Sequence, residues 1–103
     1  MPIINSLKAV QDLVSQGAWD FGSRKCRSNA REMGYTRDDV AKALLCLEVR
    51  HFKKQWPNAE TDYGVISADA YVMEYDDMWL YIKLGIRVTN DEMCVIASFH
   101  TTI

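Results

Sequence analysis

The chain has 103 residues, 49% of them hydrophobic, which is enough for one hydrophobic core but not for two ordinary domains. We therefore expect residues 1–103 to form a single domain. Twelve basic residues against 14 acidic ones give a formal net charge of −2. This balance excludes a global positive field that would hold a polyanion, so any contact with nucleic acid must rest on a local patch.

The sequence contains no targeting or membrane-spanning pattern. The N-terminus lacks a basic region followed by an apolar stretch, and no segment approaches the ~20 apolar residues that a membrane span needs. We therefore expect a cytoplasmic protein. The three cysteines are odd in number and lack Cys-x-x-Cys spacing, which predicts reduced thiols in the core: Cys26, Cys46 and Cys94.

Apolar residues in the first half of the chain recur with helical spacing. They predict a first helix over residues 6–16, ended by Gly17, and a short edge strand over 18–21. Ser23 is the expected N-cap of a second helix, which ends before Gly34.

A third helix is predicted to begin after Thr36 and to continue to Pro57. Val49, Phe52 and Trp56 extend its apolar stripe, so the basic side chains of this segment would form a ridge on its other side: Arg50, Lys53 and Lys54.

From residue 65 onward the pattern is typical of strands. Residues 71–75, 78–88 and 93–99 are rich in β-branched and aromatic side chains, and turn-forming residues separate them at 76–77 and 89–92. Helices followed by strands predict an α+β fold, with N-terminal helices packed on a C-terminal antiparallel β-meander.

Alternation within the last two strands predicts which side chains share a face. Leu80 to Ile86 at even positions would face the core, and Val95, Ala97 and Phe99 would form the apolar set of the last strand. One open face of the sheet would then carry the remaining polar and basic side chains: Tyr81, Lys83, Arg87 and His100.

These residues have the chemistry needed to cut RNA through its own 2′-hydroxyl group. Such a reaction requires a base, an acid and cations, and histidine, with an ordinary pKa of ~6.5, transfers protons near neutral pH. Lys54 would add a further cation, and aromatic rings would stack on bases: Trp56, Tyr63, Tyr71 and Trp79. The alternative is a solvated sheet face with a half-buried tyrosine and a terminal histidine.

Motifs of other chemistries are missing from the sequence. It has no Gly-rich phosphate loop, no His-Glu-x-x-His, no paired Cys/His spacing and no Gly-x-Ser-x-Gly. His51 and His100 are the only histidines, and neither has a neighbour at ligand spacing. We therefore expect neither a metal site nor a cofactor.

The order of several motifs resembles the MqsR family of mRNA interferase toxins, which have a RelE-like fold. Residues 29–34, Asn-Ala-Arg-Glu-Met-Gly, are similar to the family's Asn-Ala-Asp-Glu-Leu-Gly segment. His51-Phe52-Lys53-Lys54 is similar to its Asp/His-Phe-Tyr-Lys motif, and residues 80–84 to its Val-Tyr-Leu-Lys-Ile strand. Lys54 and Tyr81 fall on functional residues of the family.

Two functional residues of the family are replaced in this sequence. Residues 67–71 keep the acid and the tyrosine, Tyr71, of a Trp-Gln-Asp-Val-Tyr segment but have Ala68 in place of its functional glutamine. Residues 95–100 resemble the ending Leu-Ile-Val-Ser-Phe-Lys, with His100 in place of the functional lysine.

The resemblance implies a cytoplasmic type II toxin that cleaves single-stranded mRNA without a metal or cofactor. The expected catalytic residues are Lys54, Tyr81 and His100, and the expected RNA-binding residues are Arg50, Lys53, Tyr71, Lys83 and Arg87. It also implies a cognate MqsA-like antitoxin with a zinc module and a helix-turn-helix. The alternative hypothesis is a catalytically impaired member that only binds its antitoxin.

Overall fold

The computed structural model describes residues 2–88 and 91–102, and it confirms an α+β fold. The helices are α1 (Leu7–Ser15), α2 (Arg24–Glu32) and α3 (Arg37–Leu45). The strands are β1 (Trp19–Phe21), β2 (Phe52–Thr61), β3 (Gly64–Tyr75), β4 (Met78–Arg87) and β5 (Met93–Thr101). Within the described ranges, no helix has the length and apolarity to cross a membrane.

Side-chain caps set the start of each helix, and those of α2 and α3 are the predicted residues Ser23 and Thr36. The Ser6 hydroxyl accepts a hydrogen bond from the Ala9 N–H at the start of α1, and the Ser23 hydroxyl caps α2 in the same way. Thr36 forms a capping box with Asp39 at the start of α3. Because these caps satisfy N–H groups that have no partner within the helix, they fix where each helix begins.

The predicted continuation of α3 to Pro57 is wrong. The helix ends at Leu45, a 3₁₀ turn covers Val49–His51, and the chain then enters β2. Val49 is 64% exposed, so it does not extend a buried helical stripe. Pairing of β2 with β3 determines the conformation here, and such a pairing between distant segments is invisible to local periodicity.

Five strands form one sheet in the order β1-β5-β4-β3-β2. β3, β4 and β5 are antiparallel neighbours, as predicted. β2, which begins in the segment predicted as helix, adds an antiparallel partner to β3, and the short edge strand β1 runs parallel to β5. Asp76 and Asp77 join β3 to β4 with φ values of 57° and 64°, as expected for a two-residue hairpin turn. The second predicted turn includes residues 89 and 90, which lie outside the described residues.

The main core lies between the helices and one face of the sheet. Val10, Val40 and Leu44 from the helices are fully buried there, with Ile82 and Phe99 from the strands. Cys26 and Cys94 are buried, but the prediction for Cys46 is wrong: it is exposed at the end of α3.

A bulge in β5 changes which of its residues face the helices. Lys83 pairs with Ser98 while Leu84 pairs with Ile96, so Ala97 is the extra residue. Ile96 therefore joins Phe99 in the main core, and Val95 turns to the other face. The predicted apolar set Val95, Ala97 and Phe99 is thus wrong, although His100 lies opposite Phe99 as expected.

A buried carboxylate ties the N-terminal segment to the sheet. Asp69 in β3 is fully buried and accepts hydrogen bonds from the N–H groups of Ile4 and Asn5, both at 2.8 Å, and from the Asn5 side chain at 3.0 Å. The Asn5 side chain in turn accepts a hydrogen bond from the N–H of Ile86 in β4 at 3.2 Å. These bonds place the start of α1 against the middle of the sheet.

Candidate active site on the open face of the sheet

The face of the sheet opposite the helices, here called the open face, carries most of the predicted site residues. A second, smaller core, here called the small core, lies on this face. It consists of Ala59, Ile66, Ala68 and Val95, none of which belongs to a helix. Strand register builds two neighbouring rows across the open face. Tyr81 pairs with His100 in one row, and Lys54, Ala70, Lys83 and Ser98 follow one another in the next.

Tyr81 and His100 form a stacked pair in the first row. Their ring centroids are 5.1 Å apart and their planes are 17° from parallel. Burial raises the pKa of the Tyr81 phenol, so the phenol stays protonated near neutral pH and can donate a hydrogen bond. The pairing brings a donor and an imidazole to the same point of the open face.

A backbone hydrogen bond fixes which nitrogen of His100 is available. The Nδ1 atom lies 2.9 Å from the carbonyl oxygen of Thr101. Since a carbonyl oxygen only accepts hydrogen bonds, Nδ1 must carry the proton and donate it. In the neutral ring, Nε2 is therefore the unprotonated nitrogen that can take a proton from a substrate.

Two lysines converge on one indole ring in the second row. Lys83 Nζ lies 3.8 Å and Lys54 Nζ 4.5 Å from the ring centroid of Trp56. Burial lowers the pKa of Lys83, and the charge of Lys54 lowers it further. Trp56 thus holds two ammonium groups together in spite of their repulsion, which creates the local positive patch that the net charge of the chain does not provide.

Small residues form the floor beneath Trp56. Trp56 pairs with Ala68, which pairs with Gly85 on the next strand. A Cβ atom at Gly85 would collide with the carbonyl oxygen of Ser67, so only glycine fits there. Ala68, which stands where the resemblance implies a functional glutamine, is fully buried and belongs to the small core on which Trp56 packs.

Arg87 lies on the open face as predicted, but near one end of β4. Its guanidinium carbon is 5.2 Å from the ring centroid of Tyr63, and the Tyr63 hydroxyl donates a hydrogen bond to Asp20. These contacts hold Arg87 three rows away from the pair of Tyr81 and His100.

Arg50 and Lys53 are not on a helical ridge. Arg50 is exposed in the 3₁₀ turn, where its Nε atom lies 3.1 Å from a carboxylate oxygen of Glu48. Lys53 is exposed within a register shift of β2. Lys54 is the member of this basic segment that reaches Trp56.

Tyr71 does not belong to the site. Its side chain is fully buried on the helix-facing side, where its ring packs edge-on against Phe52 with centroids 5.9 Å apart. Burial raises the pKa of Tyr71 to about 12. The prediction that it contacts RNA is therefore wrong, because the ring is inaccessible from the open face.

His51 has a structural role in the 3₁₀ turn. Its Nδ1 atom accepts a hydrogen bond from the Glu48 N–H at 2.9 Å. Burial lowers the pKa of His51, and the charge of Arg50 lowers it further. The neutral ring that results is the form that can accept this bond.

The cation–π contacts of Trp56 with both lysines could not be predicted from the sequence. The sequence pattern predicts Lys54 and Trp56 on a helix, where residues two apart point in different directions. On a strand, residues two apart share a face, and the pairing of β2, β3 and β4 brings Lys83 to the same place. The contact of both lysines with Trp56 therefore depends on residues 52–61 forming a strand.

The architecture defines an α+β domain with one helix-covered face and one open face that is both basic and aromatic. The chain belongs to the family described as "Motility quorum-sensing regulator, toxin of MqsA", whose model matches residues 2–101. The protein is therefore a toxin of a toxin–antitoxin system with an MqsA-type antitoxin as its partner. A comparison with curated proteins gives no match.

Proposed function

We propose that the protein is a metal-independent endoribonuclease, an mRNA interferase that cleaves single-stranded mRNA in the cytoplasm at the open face. The observation that carries this proposal is the stacked pair of Tyr81 and His100 beside the ammonium groups of Lys54 and Lys83. A base, a hydrogen-bond donor and two cations within two rows of one sheet are the groups that phosphodiester transfer by a 2′-hydroxyl requires.

His100 is the proposed general base. Its Nε2 atom takes the proton of the 2′-hydroxyl as the 2′-oxygen forms a bond to phosphorus. The hydrogen bond from Nδ1 to the Thr101 carbonyl stabilises the imidazolium that results. The Tyr81 phenol donates a hydrogen bond to a non-bridging oxygen and holds the imidazole in place by stacking.

Lys83 and Lys54 stabilise the negative charge of the phosphorane. Lys83 is also the proposed proton donor to the leaving 5′-oxygen, because its lowered pKa makes it a stronger acid than an ordinary lysine. The bond between phosphorus and the 5′-oxygen breaks as this proton is transferred. The products are a 2′,3′-cyclic phosphate and a 5′-hydroxyl, and water exchange restores both side chains.

Cleavage of a defined transcript in the presence of excess EDTA tests the proposal. We expect the wild-type chain to cut it and to leave 2′,3′-cyclic phosphate ends. His100→Ala and Lys54→Ala should each lower the rate by at least ~100-fold, in the range expected for loss of an acid–base group or a charge-stabilising donor. Lys25→Ala is the matched control, since Lys25 is exposed on the helical layer in α2.

Two outcomes of these experiments would contradict the proposed nuclease. Activity that disappears with EDTA and returns with magnesium would refute the metal-independent mechanism. A folded chain that cuts no RNA and does not stop bacterial growth when induced without its antitoxin would favour the alternative, a module that binds its antitoxin without cutting. The buried Ala68 is the observation on which that alternative rests.

A further inference from the structure

An exposed indole lies on the open face outside the four residues of the proposed mechanism. Trp79 in β4 is 51% exposed. Its neighbours Met78 and Leu80 pack into the main core, so the Trp79 side chain points to the opposite side. Its carbonyl oxygen accepts a hydrogen bond from the Thr102 N–H at 2.8 Å, and Glu74 pairs with it on β3. The ring is therefore carried by a strand that is bonded on both sides.

Trp79 lies one strand step from the proposed reaction centre. Residues two apart on a strand share a face and are separated by ~6.8 Å, so Trp79 lies on the same face as Tyr81, in the row next to that of Tyr81 and His100. Tyr81 in turn stacks on His100. A nucleotide whose phosphate lies at His100 can place an adjacent base over the indole.

The other aromatic rings of the open face already have partners. Trp56 carries two ammonium groups, Tyr81 stacks on His100, and Tyr63 contacts Arg87 and Asp20. Within residues 2–88 and 91–102, no aromatic ring or cation stacks on Trp79. Trp79 is therefore the ring of this face with a π surface available to a ligand.

The charge beside Trp79 favours a base over a phosphate. Glu74 is exposed and directly opposite Trp79, so the two side chains share a face with Cβ atoms ~5 Å apart. Its carboxylate repels phosphate, which keeps the RNA backbone toward Lys54 and Lys83. It also accepts hydrogen bonds from an exocyclic amino group, which adenine, guanine and cytosine have and uracil lacks.

We propose that Trp79 and Glu74 form a nucleobase site that stacks the base next to the scissile phosphate and selects bases with an exocyclic amino group. This inference rests on the proposed RNA cleavage and adds a specificity site to it. Stacking supplies affinity that tolerates several bases, and the carboxylate supplies discrimination against uracil.

Fluorescence of 2-aminopurine tests the stacking directly. The probe is a fully 2′-O-methylated single-stranded RNA decamer with one central 2-aminopurine, which binds but is not cleaved. We expect quenching by the wild-type chain. Trp79→Ala should raise Kd by ~5- to 150-fold and abolish the quenching, whereas Trp79→Phe should keep most of both. Leu45→Ala, at an exposed apolar residue of the helical layer, is the control.

Two further arms test specificity and catalysis. A decamer with central adenosine should bind the wild-type chain ~10-fold more tightly than one with central uridine, and Glu74→Ala should remove most of this difference. With cleavable RNA, Trp79→Ala should raise KM while kcat changes less than ~3-fold, because the ring does not touch the reacting atoms.

The outcomes separate this inference from the proposed function. A wild-type chain that cuts RNA while Trp79→Ala binds the decamer as tightly as Leu45→Ala would overturn the nucleobase site alone. Trp79-dependent binding by a chain that cuts nothing would overturn the nuclease proposal alone. No binding of the decamer by the wild-type chain, or a Trp79→Ala effect confined to antitoxin binding, would also overturn the nucleobase site.

Discussion

The imidazole of His100 lies nearly parallel to the phenol ring of Tyr81, with 5.1 Å between their centroids. The stack limits rotation of the imidazole, and the hydrogen bond from Nδ1 to the Thr101 carbonyl oxygen fixes the orientation of the ring within the stack. In the proposed mechanism Tyr81 therefore has two separable contributions: its ring positions His100, and its hydroxyl donates to the phosphate.

Substitutions at Tyr81 should separate these two contributions. Tyr81→Phe keeps the stacked ring and should lower the single-turnover cleavage rate by ~10-fold through loss of one hydrogen bond to a charged oxygen. Tyr81→Ala also releases the imidazole and should lower the rate by ~100- to 1,000-fold. NMR line widths of the His100 ring in both variants report whether the ring has become mobile. Equal losses in the two variants would contradict the positioning role of the ring.

Because of the repulsion between Lys54 and Lys83, we expect the alkaline limb of the pH–rate profile to lie at a lower pH than an ordinary lysine would give. Only the ammonium form of Lys83 donates a proton, so activity should fall as pH rises through the pKa of Lys83. Burial and Lys54 lower that pKa from its ordinary 10.5, so the fall should begin at a lower pH than for a free lysine. Lys54→Met removes the repelling charge and should move the limb to higher pH, at a reduced overall rate.

NMR titration of isotopically labelled lysine side chains measures this effect without reference to activity. The Lys83 signal should titrate at higher pH in Lys54→Met than in the wild-type chain. Lys25→Met, which removes a lysine from α2, should leave it unchanged. A Lys83 titration that is identical in all three proteins would show that the two ammonium groups are not coupled.

Trp56 should control how tightly the RNA backbone is held. Trp56→Leu keeps an apolar side chain on the small core but removes the ring under both ammonium groups, where each cation–π contact with solvent nearby contributes ~1 kcal/mol. We expect KM for RNA to rise by ~10-fold and the salt dependence of binding to become shallower, because the lysines are no longer held together. RNA-binding titrations at several salt concentrations check this. If the slope of log binding constant against log salt concentration is the same in Trp56→Leu and the wild-type chain, the two lysines do not form a shared site.

The starts of the three helices follow from local chemistry and can be predicted from the sequence. Ser6, Ser23 and Thr36 are caps because hydroxyl groups satisfy free N–H groups, and this requires no information from the rest of the chain. The Asp76-Asp77 turn is of the same kind. Alternation in β4 likewise placed Tyr81 and Lys83 on one face, because period-2 spacing persists without interruption through that strand.

The errors arose where pairing between distant segments outweighs local pattern. Val49, Phe52 and Trp56 fit a helical stripe, yet β3 requires a partner on its second edge, and the segment pairs with it as β2. The bulge at Ala97 has no local signature either. Tyr71 has a ring of the kind that stacks on bases and lies in a segment similar to the family, but its position on the helix-facing side of the sheet buries it.

The buried carboxylate of Asp69 gives a prediction about stability rather than catalysis. Asp69→Ala leaves the N–H groups of Ile4 and Asn5 and the Asn5 side chain without their acceptor, in a site that water reaches poorly. Unsatisfied donors of this kind cost ~1–3 kcal/mol each when buried, and partial exposure here reduces that cost. We expect the free energy of unfolding to fall by ~3 kcal/mol, measured by urea denaturation.

Asn5→Ala is the matched comparison for Asp69→Ala. It removes the side-chain bonds to Asp69, Ser67 and Ile86 but keeps both backbone N–H bonds to the carboxylate. The free energy of unfolding should therefore fall less in Asn5→Ala than in Asp69→Ala, by ~1 kcal/mol. If the carboxylate acts mainly on the N-terminal segment, hydrogen exchange in α1 should accelerate more than exchange in β4 in Asp69→Ala. Uniform acceleration across the sheet, or a loss no greater than that of Asn5→Ala, would show that Asp69 does not anchor the segment.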